Sequence, residues 1–569
     1  MQENAQHRVF ALSELVTLIV QYLSPSDISR WMMTSKTFSR RLELFFWSHP
    51  VLGNCNQHST SLVQYACHFL SLEARSNLKL SPTQVAPSPE SASHALATLP
   101  EFPRLRKLAI HAHESNSFLL LYSHLVLHSP NLTELNLQYG FKSDSLSMEH
   151  YLNALATTLP RLQRLTTKCE SMDTATVFRL LEVCFAHPQL TDLQCDFVMD
   201  DDRFQVIDGY GTYDPRFAAL LKSLQDKDKA KADAGQPTGL RLKSLSLPEL
   251  HEGYPKDFLI PFLGSHVPNL ERLCIPMMYM LDNEADVRRL EENIEAGCPR
   301  LQHLFSNWEI EAYDTDNGWS SFISVLRGCA KAGLRTYQSS RFFDDDVYSQ
   351  GSISEKLLLY HGETLEEIEF PDCFRISSRS IQSILSTCRS LRKLRMESFR
   401  EMACDLHFRD VLTEWVCRDI TVLDLDLKRQ VDVPEGRSEG EVMAEAAQRV
   451  YSQIGRLVKL EDLRLYYHEY CNRSEYYVYD LTLEIGWLGE LAGLKNLRHF
   501  GTDSHNWDFM GPAEVEFMDT NWPKLQSITS GGVTSLYGSR SQMDLWNRMK
   551  ERRPYTAYNE IHPRGVWVM

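Results

Sequence analysis

Pro268–Ile275 reads PNLERLCI, and the same pattern returns along most of the chain. PNLTELNL starts at Pro130, PRLQRLTT at Pro160, PQLTDLQC at Pro188 and LRLKSLSL at Leu240. PRLQHLFS starts at Pro299, ETLEEIEF at Glu363, RSLRKLRM at Arg389, VKLEDLRL at Val458 and PKLQSITS at Pro523. The core shared by most copies is an apolar residue, two variable ones, an apolar residue, one variable residue and another apolar one. The leading apolar residues are Leu105, Leu132, Leu162, Leu190, Leu242, Leu270, Leu301, Leu334, Leu365, Leu391, Ile420, Leu460, Leu497 and Leu525. Most gaps are about 26–33 residues, a period typical of repeat architectures. The wide gap from Leu190 to Leu242 marks an insertion or a worn unit.

In L-x-x-L-x-L the last two apolar residues are two apart, so they point to one face of a short strand. Stretches with helical spacing lie between the strands: Ser117–His128, Met148–Leu159, Thr174–His187, Trp319–Gly333, Ser377–Thr387, Phe408–Cys417 and Val442–Leu457. One strand and one helix cannot bury their apolar sides alone, but stacked copies can. The pattern therefore predicts an α/β solenoid: a leucine-rich-repeat horseshoe with a parallel sheet on the concave side and helices on the convex side. An ordinary α/β domain also alternates strands and helices, but it repeats no fixed motif at a fixed period.

A chain of 569 residues exceeds one ordinary domain, a limit that a solenoid escapes by growing in one dimension. The net charge of −16, from 75 acids and 59 bases, argues against general nucleic-acid binding. MQENAQHRVF lacks the basic and apolar regions of a signal peptide, and no apolar run reaches membrane-spanning length. The thirteen cysteines form no C-x-x-C pair, which suits reduced, buried thiols in the cytoplasm, the nucleus or both. Cys55, His58, Cys67 and His68 are a local cluster, but the last two are adjacent and point apart, so no metal site is expected. Cys67, Leu70 and Leu72 fit a worn first repeat. The expected organisation is a helical segment over 8–50 and a connection over 51–100 with a Pro/Ser-rich loop. A solenoid follows over 101–530, with loop insertions near 200–239, where Pro215–Leu224 suits a helix before a polar run, and near 429–441, and a cap and tail over 531–569 with Met543–Arg552 as a closing helix.

The first segment carries two apolar helical sets separated by Ser24-Pro25-Ser26-Asp27, a break and cap. Leu12, Glu14, Leu15, Ile19, Tyr22-Leu23-Ser24, Asp27-Ile28, Thr34-Ser35-Lys36, Phe38 and Trp47 resemble the F-box motif. Ser13 stands where proline is common in that family, and Thr34 where valine is. The resemblance implies docking onto the Skp adaptor, and through it onto cullin and RING subunits. It implies that Leu12, Leu15, Ile19, Leu23, Ile28 and Met33 form or support the adaptor-binding surface. A plain helical cap is the alternative, because a solenoid needs one. CFRISSRSIQSILSTCRSLRKLRM, from Cys373 to Met396, resembles the cysteine-containing leucine-rich repeat, which commonly accompanies an F-box. That likeness makes Cys373 and Cys388 packing residues.

Alternation also gives the residues on the open side of the sheet. Phe305 and Tyr466 are the aromatic candidates for contact with a partner. Glu367, Glu369, Lys393, Arg395, Asp424, Asp426 and Arg464 are the charged ones, and the excess of acids suits a substrate segment with basic residues. There is no G-x-S-x-G, no phosphate-cradling Gly-rich loop and no H-E-x-x-H, and the twenty histidines are dispersed. The expectation is a non-enzymatic substrate receptor of a Skp–cullin–F-box ubiquitin ligase, with no cofactor, nucleic acid or membrane partner. The alternative is a leucine-rich-repeat scaffold with no ligase role.

Overall fold

The computed structural model describes residues 51–52, 71–76, 102–112, 126–139, 152–153, 155–156, 159–169, 174–197, 215–247, 256–276, 284–307, 323–340, 353–373, 376–398, 405–467, 481–484, 486–503, 510–531 and 557–560. Two compact units divide the chain: residues 1–258 with 266–270, and residues 259–265 with 271–569.

In both units a repeat begins with a tight turn. The amide of the first apolar residue donates to the carbonyl three residues back: Leu132 to Ser129 at 3.1 Å, Leu270 to Val267 at 3.1 Å, Leu525 to Trp522 at 3.1 Å. Pro130, Pro268 and Pro523 hold the second position of these turns, where a fixed φ is already correct. The residue after the apolar one then offers its carbonyl to two successive amides of the next repeat. Thr133 O accepts from Gln163 and Arg164, Glu366 O from Arg392 and Lys393, and Glu461 O from Arg498 and His499, all at 2.7–3.1 Å. A one-residue slip would break both bonds and turn every apolar side chain to the wrong face.

The first unit contains strands β1 (Val51–Leu52), β2 (Ser71–Ser76), β3 (Lys107–Ala112), β4 (Glu134–Tyr139), β5 (Arg164–Cys169), β6 (Asp192–Phe197) and β7 (Ser244–Ser246). Each pairs in parallel with the next. Leu108, Leu135, Leu165, Leu193 and Leu245 share one ladder row and are all buried. Truncating any one to Ala should cost about 2–5 kcal/mol. Leu72 pairs with Leu108, so it holds the second apolar position of its repeat rather than the third. The worn repeat is thus displaced by two residues from the expected Cys67, Leu70 and Leu72. Helix α1 (Thr174–Ala186) lies where helical spacing places it. In the insertion near 200–239 the helix expected over Pro215–Leu224 forms, and it runs on through the stretch expected as a polar loop, giving one long helix, α2 (Pro215–Asp233), on buried Phe217, Leu220 and Leu224.

The boundary falls within helix α3 (Lys256–Ser265), and the second unit contains its residues 259–265 and helices α4 (Glu284–Gly297), α5 (Ile353–His361), α6 (Ser378–Thr387), α7 (Glu439–Gly455) and α8 (Pro512–Asn521). Their strands are β8 (Arg272–Pro276), β9 (His303–Asn307), β10 (Thr336–Ser340), β11 (Glu367–Cys373) and β12 (Lys393–Ser398), then β13 (Asp405–His407), β14 (Val422–Lys428), β15 (Asp462–Tyr467), β16 (His499–Asp503), β17 (Ser527–Gly531) and β18 (Ala557–Glu560). Pairing is parallel and consecutive, except that β14 pairs with both β12 and β13. Parallel strands joined through helices give the solenoid-like α/β arrangement that the repeat predicts. The sequence reading errs at Phe408–Cys417. The extra strand β13 precedes it, and only a single 3-10 turn, Phe408–Asp410, forms. Helix α7 starts at Glu439 because the Ser438 hydroxyl accepts from the Glu441 amide at 3.3 Å, ahead of the apolar run. The F-box-like segment, Cys55, His58, Cys67, His68, the Pro/Ser-rich loop and Met543–Arg552 lie outside the described residues.

A second recurring feature sits at the residue that opens several of these turns. Cys298 Sγ donates to Leu263 O at 3.3 Å, Cys417 Sγ to Leu385 O at 3.1 Å, and Trp522 Nε1 to Leu491 O at 3.1 Å. These carbonyls belong to the last turns of the preceding repeats' helices, where backbone acceptors lack intrahelical partners. These three opening residues are buried, and each caps the repeat before it. His361 does this twice. Its Nε2 lies 2.8 Å from Leu326 O, and its Nδ1 accepts from the Leu334 amide at 3.2 Å.

Candidate functional site

The charged and aromatic candidates lie in the second unit, on the more open face of its sheet. Ladder register aligns Phe305, Gln338, Glu369, Arg395, Asp424, Arg464, Gly501 and Thr529 in one row across β9 to β17. Neighbouring strands are roughly 4.8 Å apart, so adjacent side chains in this row can touch. Glu367, Lys393, Val422, Asp462, His499 and Ser527 form the parallel row beside it. Asp426 and Tyr466 pair with each other in a third. The alternate positions Ile368, Leu394, Leu423 and Leu463 are fully buried on the other face.

The structure brings Glu369, Lys393, Arg395, Asp424, Asp426, Arg464 and Tyr466 together across β11 to β15, with Glu367 at the edge. Phe305 stands apart, separated from Glu369 by Gln338 of β10. Charge alternates along the central row, and it is paired within the face. Lys393 bonds Glu369, Arg395 reaches Asp462 at 3.7 Å, and Arg464 holds Asp462 at 3.2 Å and Asp424 at 3.8 Å. Burial works against the Arg464 charge, yet the carboxylates of Asp462 and Asp424 and the Tyr466 phenol hold its pKa above the ordinary arginine value.

Two expectations for this face need correction. Asp424 and Asp426 are not solvated acids waiting for a basic ligand: they are 0% and 1% exposed, alongside Asp405 at 2%. Tyr466 is not an exposed anchor but 8% exposed. Gly501 explains the burial of Tyr466. A Cβ there would lie 2.7 Å from Thr529 Oγ1, 3.2 Å from Arg464 Cγ and 3.4 Å from the Tyr466 hydroxyl. The missing side chain lets Tyr466 and Arg464 lie down over the neighbouring strand. Phe305, Glu367, Glu369, Lys393, Arg395 and Arg464 keep intermediate exposure, so the surface a partner could touch is drawn from these six.

Sequence reasoning missed Asp405, which β13 sets opposite Asp426. The alternation of Asp405-Leu406-His407-Phe408 was the available signal. It also missed the hydroxyl partners of the row histidines: His303 Nδ1 lies 2.9 Å from Thr336 Oγ1, and His499 Nδ1 lies 2.6 Å from Ser527 Oγ. These tie adjacent strands. Burial, then the Arg272 charge, hold the His303 pKa below its ordinary value. Among the described residues no group of three or more His, Cys, Asp or Glu could hold a metal ion. Among them, too, no helix is long and apolar enough to cross a membrane.

No protein-family model matches the chain, and a search of curated proteins finds no match.

Proposed function

We propose that this chain is the substrate-recognition subunit of a Skp–cullin–F-box ubiquitin ligase and performs no bond chemistry itself. Leu12, Leu15, Ile19, Leu23, Ile28 and Met33 would hold the Skp adaptor, and with it the cullin and RING subunits. A leucine-rich-repeat horseshoe would present the open sheet face to a substrate protein. Its action would be to raise effective concentration and fix orientation near the conjugating enzyme. The observation that carries this reading is the order of features along the chain. An F-box-like stretch ending at Trp47 precedes repeats whose register is locked bond by bond. A repeat scaffold with a helical cap would share the solenoid but not the adaptor.

Affinity capture separates the two. The intact chain should retain purified Skp adaptor, and Leu15→Asp with Ile19→Asp should release it. Failure of the intact chain to retain adaptor rejects the ligase reading. Substrate capture is tested at Phe305→Ala and Glu367→Lys, which change accessible side chains. Asp424 and Asp426 are poor test positions, because charge reversal there disrupts a buried ionic network.

A further inference from the structure

Helix α2 is held in two different ways along its length. Its first half is packed: Phe217 is buried, with ring centroids 6.0 Å from Phe178 and 5.1 Å from Phe258, and Leu220 and Leu224 extend the same stripe. Beyond Leu224 the sequence is QDKDKAKAD, with no large apolar side chain to bury. A helix this polar gains little from tertiary packing and is marginal by itself. Yet it continues to Asp233 and stops cleanly. Gly235 takes a φ of +66°, its amide donates to Ala232 O at 3.0 Å, and the Gln236 amide donates to Lys231 O at 2.8 Å.

What holds this second half to the body is polar and centres on Asp228. One carboxylate oxygen lies 2.6 Å from His266 Nδ1, and the other accepts from the Gly239 amide at 2.8 Å. Lys231 Nζ donates to Gly239 O at 3.1 Å. His266 is a buried side chain just before the Val267-Pro268-Asn269-Leu270 turn, and its carbonyl accepts from the Leu240 amide at 2.7 Å. Gly239 has a φ of +80°, and a Cβ there would lie 2.7 Å from Pro268 Cδ. The returning chain is therefore pressed onto the turn at a position only glycine fits, and Asp228 grips that position and the histidine beside it.

We propose that Asp228 is a latch. Closed, it holds residues 225–233, the second half of α2, and the return to Gly239 rigidly in place. Opened, it releases them as a charged, flexible arm, while the aromatic anchor keeps residues 215–224 in place. The inference stands apart from the ligase reading, since it concerns only contacts within the first unit.

Hydrogen exchange on the full chain tests it, with wild type, Asp228→Ala and Asp226→Ala compared. Alanine has a higher helix propensity than aspartate. Propensity alone therefore predicts equal or greater protection in both variants. The latch predicts the opposite sign at one site: amides of residues 229–236 should exchange about tenfold faster or more in Asp228→Ala, and no faster in Asp226→Ala. Amides of residues 219–224 should keep their protection. Trypsin should cleave Asp228→Ala faster after Lys229 and Lys231. Unchanged exchange at 229–236 in Asp228→Ala overturns the proposal. So does a loss of protection that spreads through β4, β5 and β6, which would make Asp228 a general fold residue.

Discussion

Replacing His361 with phenylalanine should change how stability depends on pH as well as how large it is. The imidazole is 1% exposed and bonded at both nitrogens. The neutral tautomer protonated at Nε2 satisfies both: it donates to Leu326 O and accepts the Leu334 amide. A second proton would occupy Nδ1 and expel that amide. Burial pushes the pKa from 6.5 down to about 4, and the bond to Leu326 O offsets only part of the shift. The unfolded chain therefore binds the proton more readily than the folded one. The stabilisation is complete above pH 6.5 and is lost as pH falls towards 4. Its full size is about 3 kcal/mol, of which about 2 kcal/mol is gone by pH 5. The phenyl ring of His361→Phe would keep an aromatic volume but orphan a buried amide and a carbonyl, at about 1–3 kcal/mol each. At pH 7.5 the variant should thus be less stable by about 2–6 kcal/mol. At pH 5 the gap should be smaller by about 2 kcal/mol. Urea unfolding followed by the fluorescence of buried Trp415 and Trp522 reads this difference. His187, His303 and His407, also held below their ordinary pKa by burial, titrate in both proteins and cancel. An equal gap at the two pH values would refute the reasoning.

Three further outcomes follow from the same geometry. Arg464→Met leaves Asp462 and Asp424 without the guanidinium they share, and should cost about 3 kcal/mol in a denaturant titration. A change below about 0.5 kcal/mol would show that the pairing contributes nothing net. Gly501→Val drives a branched side chain into Thr529, Arg464 and Tyr466. It should destabilise by about 1–3 kcal/mol and raise the accessibility of Tyr466 to nitration, read by peptide mass. Cys417, whose thiol burial pushes up to about 12, should resist thiol labelling at pH 8 in the folded protein and label fully in urea.

The solenoid-like parallel arrangement was legible because its signal is redundant. Leu135, Leu165 and Leu193 each had to obey the same spacing, and an error at one repeat could not shift the others. Features that depend on a single repeat were harder to read. Phe408, Val411 and Trp415 have helical spacing, yet they line a turn and loop over α6, because the short strand β13 uses up the chain before them. The end of α2 is polar and reads as a loop. Its anchor, His266, lies 38 residues away from Asp228, beyond the reach of any local pattern. For the candidate site, alternation put Asp424, Asp426 and Tyr466 on the correct face. It could not give their burial, which depends on what stands on the next strand: Asp405 opposite Asp426, and a glycine at position 501. The opening residues Cys298, Cys417, Trp522 and His361 span three residue types, from thiol to indole to imidazole. Their common role as caps of the preceding repeat shows only in three dimensions.

The proposed function turns on whether the chain joins an adaptor. Native mass spectrometry of the intact chain mixed with purified Skp adaptor and cullin answers that question. The expected result is a single assembly containing one copy of each, lost when Leu15 and Ile19 are both changed to Asp. Free chain beside a separate adaptor–cullin complex, at concentrations where known receptors assemble, would contradict it.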